Sequence, residues 1–356
     1  MRAYNFAAGP AMLPEEVLAK VQNEIFDWCG TGVSVMELGH RTKIFQELLE
    51  NLQKKIRTLM NIPHNYKILF VQGGAQGQFS GIPMNLLKQN KNVDYFNTGI
   101  WSKKAIDAAT KYADVNIVAE STKTGIPDVS AWKLNPKASY VYYCPNETIN
   151  GIQFSQVPDV GNVTLIADMT SSILSEEIDV SKFGLIFAAA QKNLGIAGVT
   201  IVIVRDDLLN SSLDIVPNVW NYKLLSECNS SVNTVPVFAL YVMDLMVDWL
   251  ITQGGVSAIA KINKRKVEKL YNYIDTSEFY YNNVEKPYRS QINVPFELTQ
   301  ESLSVDFLDE AIANGLKYLQ GHIAVGGLRA SLYNAMPESG VDKLISFMHD
   351  FAAKHR

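Results

Sequence analysis

The chain has 356 residues, 47% of them hydrophobic and 19% charged, with a formal net charge of −4. That length supports two domains and a large core, and the absence of a basic excess excludes nucleic acid or an anionic membrane as a general partner. The three cysteines, Cys29, Cys144 and Cys228, have no metal-ligand spacing; no metal, disulfide frame or membrane span is expected, and the expected setting is cytoplasmic.

The opening residues, 5–13, are small and proline-bearing and read as a strap. Pro14 opens a helix predicted to about residue 28, with Glu15 and Glu16 well placed in its first turn. Residues 30–39 are irregular. A second helix over 42–60 carries an apolar stripe at Ile44, Phe45, Leu48, Leu49, Leu52, Ile56 and Leu59, and His40-Arg41 stand just before it. A strand at 67–72 stops at Gly73-Gly74-Ala75-Gln76-Gly77 and is followed by a helix to about 87. Strand, glycine turn and helix can cradle a phosphate on backbone N–H groups, or can simply make a tight turn.

The alternation continues with a strand at 93–97, a helix at 101–112 beginning on Trp101, and strands at 116–119, 140–144 and 163–167. The polar stretch Pro145–Gly151, with Thr148, follows one strand; Asp168 and Thr170 follow the next. Two apolar runs, 183–190 and 199–204, read as buried strands around a tight turn bearing Gln191 and Lys192. Asn233-Thr234-Val235-Pro236 is predicted to start a helix to about 253. A charged helix follows over 256–273, then a strand at 290–298, a helix from Ser304 or Asp306 to about 317, a glycine-bounded strand at 328–333 with Arg329, and a last helix over 340–354.

Repeated βα units predict an α/β fold with a mostly parallel sheet, whose ligands bind at the carboxyl ends of strands. Ala75, Gln76, Trp101, Thr148, Asp168 and Thr170 all fall at such ends. A desolvated lysine amine can attack a carbonyl, and Asp168 lies a strand, a connection and a strand before Lys192. An opposed lysine and carboxylate are what pyridoxal phosphate requires at its aldehyde and its ring nitrogen. Taken singly, Lys192 reads first as a hairpin-tip charge and Asp168 as a turn residue, and Trp101 reads as well as a core aromatic.

The ordered set of motifs is more specific. Asn5-Phe6 with Gly9-Pro10, Ser34-Val35-Met36-Glu37 with His40-Arg41, and Tyr143-Cys144-Pro145-Asn146-Glu147-Thr148 come first. Ala190-Gln191-Lys192-Asn193, Asn233-Thr234-Val235-Pro236, and Gly321-His322 with Gly326-Gly327-Leu328-Arg329-Ala330-Ser331 complete it. Across nearly its whole length the chain resembles the phosphoserine aminotransferase family, class V pyridoxal-phosphate enzymes of fold type I. The resemblance implies a strap (1–15), a large cofactor-binding domain (16–254) and a smaller α+β domain (255–356).

It further implies that Lys192 forms the Schiff base and shuttles the substrate α-proton, while Asp168 pairs with the pyridine nitrogen. Trp101 would stack on the ring and Thr148 would bond its phenolic oxygen. Ala75, Gln76, Thr170 and Gln191 would bind the cofactor phosphate, with Asn233 and Thr234 reaching the phosphate of a neighbouring subunit in a homodimer. Arg329 would clamp the substrate α-carboxylate, and His40, Arg41 and His322 would meet the substrate phosphate or the side-chain carboxylate of glutamate. The implied reaction passes an amino group from L-glutamate to 3-phosphohydroxypyruvate for serine synthesis. The corresponding step of vitamin B6 synthesis, on 3-hydroxy-2-oxo-4-phosphooxybutanoate, is a further implied activity.

Three positions depart from the pattern. Ile323 follows His322 where many members have arginine, Gln76 stands where some have another arginine, and Ala8 replaces a serine. The first two remove cations from the neighbourhood of a substrate phosphate. Rival readings are another class V enzyme, of the alanine–glyoxylate or cysteine desulfurase type, and a non-catalytic binding protein on the same scaffold. A dinucleotide-binding domain is disfavoured by the lack of a GxGxxG turn.

Overall fold

The computed structural model describes residues 2–355. After the short strand β1 (Tyr4–Asn5) come helices α1 (Glu15–Glu24) and α2 (Lys43–Leu59). The chain then alternates through β2 (Tyr66–Val71), α3 (Gly74–Leu86), β3 (Asn92–Asn97), α4 (Ile100–Ala109) and β4 (Asp114–Glu120). Strand β5 (Val141–Tyr143) leads into a hairpin of β6 (Asn146–Glu147) and β7 (Ile152–Gln153), followed by β8 (Leu165–Asp168), β9 (Leu185–Ala189) and β10 (Thr200–Arg205). Helices α5 (Tyr222–Glu227), α6 (Val237–Thr252) and α7 (Gly255–Thr276) precede β11 (Tyr280–Tyr281), β12 (Asn293–Leu298) and α8 (Ser304–Ala313). Strands β13 (Leu316–Lys317) and β14 (Leu328–Ser331) and helix α9 (Glu338–His355) close the chain.

Seven strands form the central sheet in the order β2-β10-β9-β8-β5-β3-β4. Only β10 runs against its neighbours, pairing antiparallel with both β2 and β9. Both faces of this sheet are covered, which is why its strands are continuous apolar runs. Along β10 the side chains alternate: Ile201 and Ile203 enter the core beneath α2 and α6, while Val202 and Val204 enter the core on the opposite face. Helix α2 docks through Phe45, Leu48, Leu49, Leu52 and Ile56, a helical stripe worth roughly 1.5–3 kcal/mol per buried side chain.

A separate apolar cluster forms around the three-stranded sheet β11-β12-β14 with α9, and it takes in Phe6 and Met12 from the N-terminal strap. Helix α7 serves both cores: Val256 and Ile259 pack into the first, Val267, Leu270 and Ile274 into the last. Among the described residues no single helix is long and apolar enough to cross a membrane.

Several element boundaries differ from the sequence reading. Helix α1 stops at Glu24, before a turn in which Asp27 accepts a hydrogen bond from the Gly32 N–H at 2.8 Å and Cys29 takes a positive φ. Residues 233–236 do not begin α6; the helix starts at Val237, because a proline disfavours helical geometry in the residue before it. Helix α8 ends at Ala313 rather than near 317. Gly315 takes a positive φ, and Leu316–Lys317 become a strand paired in parallel with β1. Neither Ser304 nor Asp306 caps α8; that position falls on Leu303.

Lys266 on α7 is wholly buried, and its ammonium donates to the carbonyls of Tyr333 at 2.9 Å and Met336 at 3.0 Å. Burial pushes its pKa down to about 7, against about 10.4 for a free lysine. Between those values the unfolded chain holds a proton that the folded chain does not. Folding stability therefore rises as pH increases from about 7 towards 10, and the full desolvation cost is present below pH 7. Urea unfolding across this window should show the slope in the wild type and a flatter one in Lys266→Met; identical slopes would mean that the buried amine keeps its proton.

Candidate active site

The carboxyl ends of the parallel strands open into a cavity of about 800 Å³. Asp168, the last residue of β8, faces it and is only 4% exposed. One carboxylate oxygen accepts the backbone N–H of Thr170 at 2.9 Å, and the other lies 3.5 Å from the Tyr142 hydroxyl. Burial pushes the Asp168 pKa up, while the Thr170 hydrogen bonds and the positive charge of Lys192 pull against that rise. Asp168 makes no ion pair within 4 Å among the described residues.

Lys192 sits on the tight turn between β9 and β10, next to β8 in the sheet, and is 7% exposed. It lines the same cavity, with its ammonium 5.8 Å from the centre of the Trp101 ring. The strap covers it: the Ala11 N–H donates to the Gln191 carbonyl at 2.8 Å, and a Cβ on Gly9 would stand 3.5 Å from Lys192 Cε.

The indole of Trp101 is held from two directions. Its Nε1 donates to Thr148 Oγ1 at 2.9 Å, and its backbone N–H donates to Glu147 Oε2 at 3.1 Å. Glu147 also accepts the Ser102 N–H at 2.8 Å, so a buried carboxylate closes the start of α4. Gly99 is required there, because a Cβ would lie 2.6 Å from the Glu147 carboxyl carbon.

At the end of β2, Gly73 takes a positive φ and no side chain caps α3, so the first N–H groups of that helix face outward with Ala75 at the cavity wall. Trp220 supports the turn from behind. Its Nε1 donates to the Gln72 carbonyl at 3.1 Å, and its ring would touch a Cβ added at Gly73 or Gly77. Thr170 and Gln191 also line the cavity.

Arg329 approaches from β14. Its Nη1 donates to the Thr148 carbonyl at 3.3 Å, and its Nε is buried without a partner among the described residues. Burial pushes the guanidinium pKa down. A desolvated, half-satisfied guanidinium facing a cavity is a receptor for an anion. His322 lines the mouth, where Ile323 beside it is 98% exposed.

The remaining expected site residues do not reach this cavity within the chain. Gln76 stands on the first turn of α3 behind Ala75. Asn233 donates to the Gln72 side chain at 2.9 Å, and the Thr234 carbonyl accepts from Gln72 at 3.0 Å, on the outer side of the glycine turn. His40 and Arg41 lie in the irregular segment before α2; Arg41 is exposed, and His40 Nε2 is buried without a partner among the described residues. Sequence reasoning missed an apolar wall from α8 that lines the cavity, including Val305, Leu308 and Ile312, and the supports behind the cavity, Glu147 and Trp220. Glu147 belongs to the stretch Tyr143–Thr148, but only the tertiary approach of α4 gives it a task.

The Aminotransferase class-V family model matches residues 3–344. The chain is 52% identical over 357 residues to a phosphoserine aminotransferase of Hahella chejuensis, with 99% of each chain covered. Of solved structures, it matches the phosphoserine aminotransferase of Bacillus circulans subsp. alkalophilus with a TM-score of 0.97 at 40% identity, covering 100% of this chain and 99% of the other. It matches PLP-bound phosphoserine aminotransferase from Trichomonas vaginalis with a TM-score of 0.94 at 40% identity, covering 98% and 100%.

Replacing Glu147 by alanine leaves two N–H groups of α4 without their acceptor. Urea unfolding of Glu147→Ala should show a loss of about 2 kcal/mol, with Glu147→Gln losing less because it keeps an acceptor oxygen. Equal losses in both variants would mean that the charge, not the hydrogen bonds, holds the helix.

Proposed function

The chain belongs to the class-V aminotransferases, and within them to the phosphoserine aminotransferases; from that premise we propose that it transfers the amino group of L-glutamate to 3-phosphohydroxypyruvate with pyridoxal phosphate. The products are 2-oxoglutarate and O-phospho-L-serine, the amino-group step of serine synthesis. The observation that carries this reading is that Lys192 and Asp168, both buried, face one cavity from adjacent strand ends.

The residues fit the cofactor. Asp168 is a buried carboxylate without an ion-pair partner among the described residues, a demand that a protonated ring nitrogen meets. The uncapped start of α3 offers N–H groups to a phosphate, with Thr170 and Gln191 beside it, and Trp101 offers an aromatic face. When bound, pyridoxal phosphate supplies a covalent attachment point for amines and an electron sink for the substrate α-carbon.

The protein's own part follows from its side chains. Arg329 takes the α-carboxylate of either substrate, since its Nε has no other buried partner among the described residues. Lys192 Nζ removes the proton from the α-carbon of the amino donor and returns one to the acceptor. Asp168 keeps the ring nitrogen protonated, and Thr148 orients both Trp101 and the phenolic oxygen. His322 meets the far anionic end, a phosphate in one half-reaction and a carboxylate in the other. The longer acceptor 3-hydroxy-2-oxo-4-phosphooxybutanoate, of pyridoxine synthesis, shares both recognised ends and belongs to the same reading.

A homodimer with shared sites is supported by the residues that do not reach the chain's own cavity: His40, Arg41, Asn233 and Thr234. The segment before His40 also exposes Phe26, Val33 and Met36, apolar surface suited to a second copy. Three free cysteines fit a reducing cytoplasm. The division into strap, large domain (16–254) and small domain (255–356) is supported by the separate apolar clusters, with α7 spanning their junction.

Lys192→Ala should still bind the cofactor, but borohydride should no longer fix it to the protein and turnover should vanish; wild-type turnover would sink the assignment. Ile323→Arg adds a cation at an exposed position beside His322. Steady-state assays should show KM falling several-fold for the phosphorylated acceptor, as expected for a new charge-assisted hydrogen bond, and falling less for L-glutamate. Equal or absent shifts for the two substrates would mean that the site has rearranged.

A further inference from the structure

The sheet that carries Arg329 meets the β6-β7 hairpin, itself tied to the loop that follows Asp168, along a seam of buried polar side chains. Asn293 on β12 stands opposite Ser331 on β14 and is fully buried. Its Oδ1 accepts from Asn146 Nδ2 at 2.9 Å, and its own Nδ2 donates to Ser331 Oγ at 2.8 Å and, more loosely, to the Tyr333 hydroxyl at 3.4 Å. Asn146, also buried, donates in addition to Ser171 Oγ at 2.9 Å, and its Oδ1 accepts from the Ser290 hydroxyl at 2.6 Å. Both amides are thus engaged through nitrogen and oxygen alike.

A purely apolar seam would hold the two sheets together while tolerating slip. A satisfied buried amide pair is directional, and sliding either sheet leaves donors and acceptors unmet in a low-dielectric interior. The pair also stands close to the chemistry. Two residues after Asn146 comes Thr148, which accepts from both Arg329 and Trp101. Two residues before Ser331, and so on the same face of β14, comes Arg329. Tyr333 in turn donates to the Ala8 carbonyl at 2.7 Å, in the strap that lies against Lys192.

We propose that Asn293 is a positioning residue for the transamination: through its bond to Asn146 it fixes the reach from the Arg329 guanidinium, which holds the substrate α-carboxylate, to the Lys192 amine, which must meet the α-carbon. Asn293 does not line the cavity and acts through Arg329. The inference rests on the aminotransferase reading above, and it follows from the steep dependence of proton transfer on placement, where an error of about 1 Å costs roughly 100-fold.

The test uses the holoenzyme and two readouts, steady-state kinetics with L-glutamate and a spectroscopic titration of the cofactor's dissociation constant. Asn293→Ala should lower kcat/KM for L-glutamate by about 10- to 100-fold, kcat falling as KM rises, as expected when the guanidinium and the amine lose their register. Cofactor affinity should stay within about 2-fold, because the pyridine and phosphate contacts lie on the central sheet. Asn293→Asp, which keeps an oxygen facing Asn146, should recover part of the loss. Should Asn293→Ala fail to fold, Ser331→Ala removes one bond of the seam and should raise KM for glutamate about 2- to 5-fold. Variants that melt earlier yet keep the wild-type KM, or that lose cofactor affinity instead, overturn the positioning role. A wild-type enzyme whose cofactor spectrum ignores glutamate overturns the aminotransferase reading itself, and is thereby distinguished from a responsive wild type matched by Asn293→Ala.

Discussion

A carboxylate and an amine, both taken out of water at neighbouring strand ends, set the terms for the rest of this structure. Neither Asp168 nor Lys192 is at ease alone. Burial raises the Asp168 pKa, and the main opposition comes from Thr170 and from Lys192 itself. Such a pair contributes little to stability and persists where its placement is useful. The surrounding elements keep it in place: β9 and β10 present the lysine turn, β8 ends on the aspartate, and the Thr170 hydroxyl accepts the Ala189 N–H at 3.2 Å, tying the two strand ends together.

The central sheet and its βα alternation were legible because buried parallel strands leave short β-branched runs that end in polar residues. That pattern also placed Ala75, Gln76, Trp101, Thr148, Asp168 and Thr170 at one sheet edge; all but Gln76 line the cavity, together with Gln191 and Lys192. What the pattern could not carry was pairing between distant pieces. Leu316–Lys317 reads as the tail of a helix, and it is a strand only because Tyr4–Asn5 lies beside it. Residues 233–236 read as a helix start, yet the bonds to Gln72 and a tight turn about Pro236, closed by the Val237 N–H on the Val235 carbonyl at 2.8 Å, keep them out of the helix. Glu147 and Trp220 have no local signature, since each acts on an element far away in sequence. Arg329 was read from a resemblance as much as from its strand; its unpaired buried Nε is the physical sign that sequence alone does not display.

The C-terminal sheet is more than a lid on this arrangement. It brings Arg329 to the cavity and, in the buried seam around Asn146 and Asn293, a directional join to the β6-β7 hairpin and, through Ser171, to the loop after β8. The strap crosses the same join, bonding Ser331 through the Phe6 carbonyl at 3.1 Å and covering Lys192 with Gly9. Three chain segments that are remote in sequence therefore agree on one geometry, and that agreement makes the site specific, not merely polar.

The charges of the site then bear on its assembly. Lys192, Arg329 and His322 are the only lysine, arginine or histidine side chains lining the cavity among the described residues. If, as proposed above, Lys192 serves amine chemistry and Arg329 an α-carboxylate, little positive charge remains for a cofactor phosphate and for the second anionic end of a substrate. Helix α3 answers part of that demand with N–H dipoles. Ile323 and Gln76 do not answer the rest, because neither bears a charge. A bound phosphate desolvated in such a cavity needs cations close by. Arg41 is exposed, stands beside a histidine with an unpartnered buried nitrogen, and lies in a segment rich in exposed apolar side chains. Charge balance therefore favours a site finished by a second copy of the chain over one complete in a single copy.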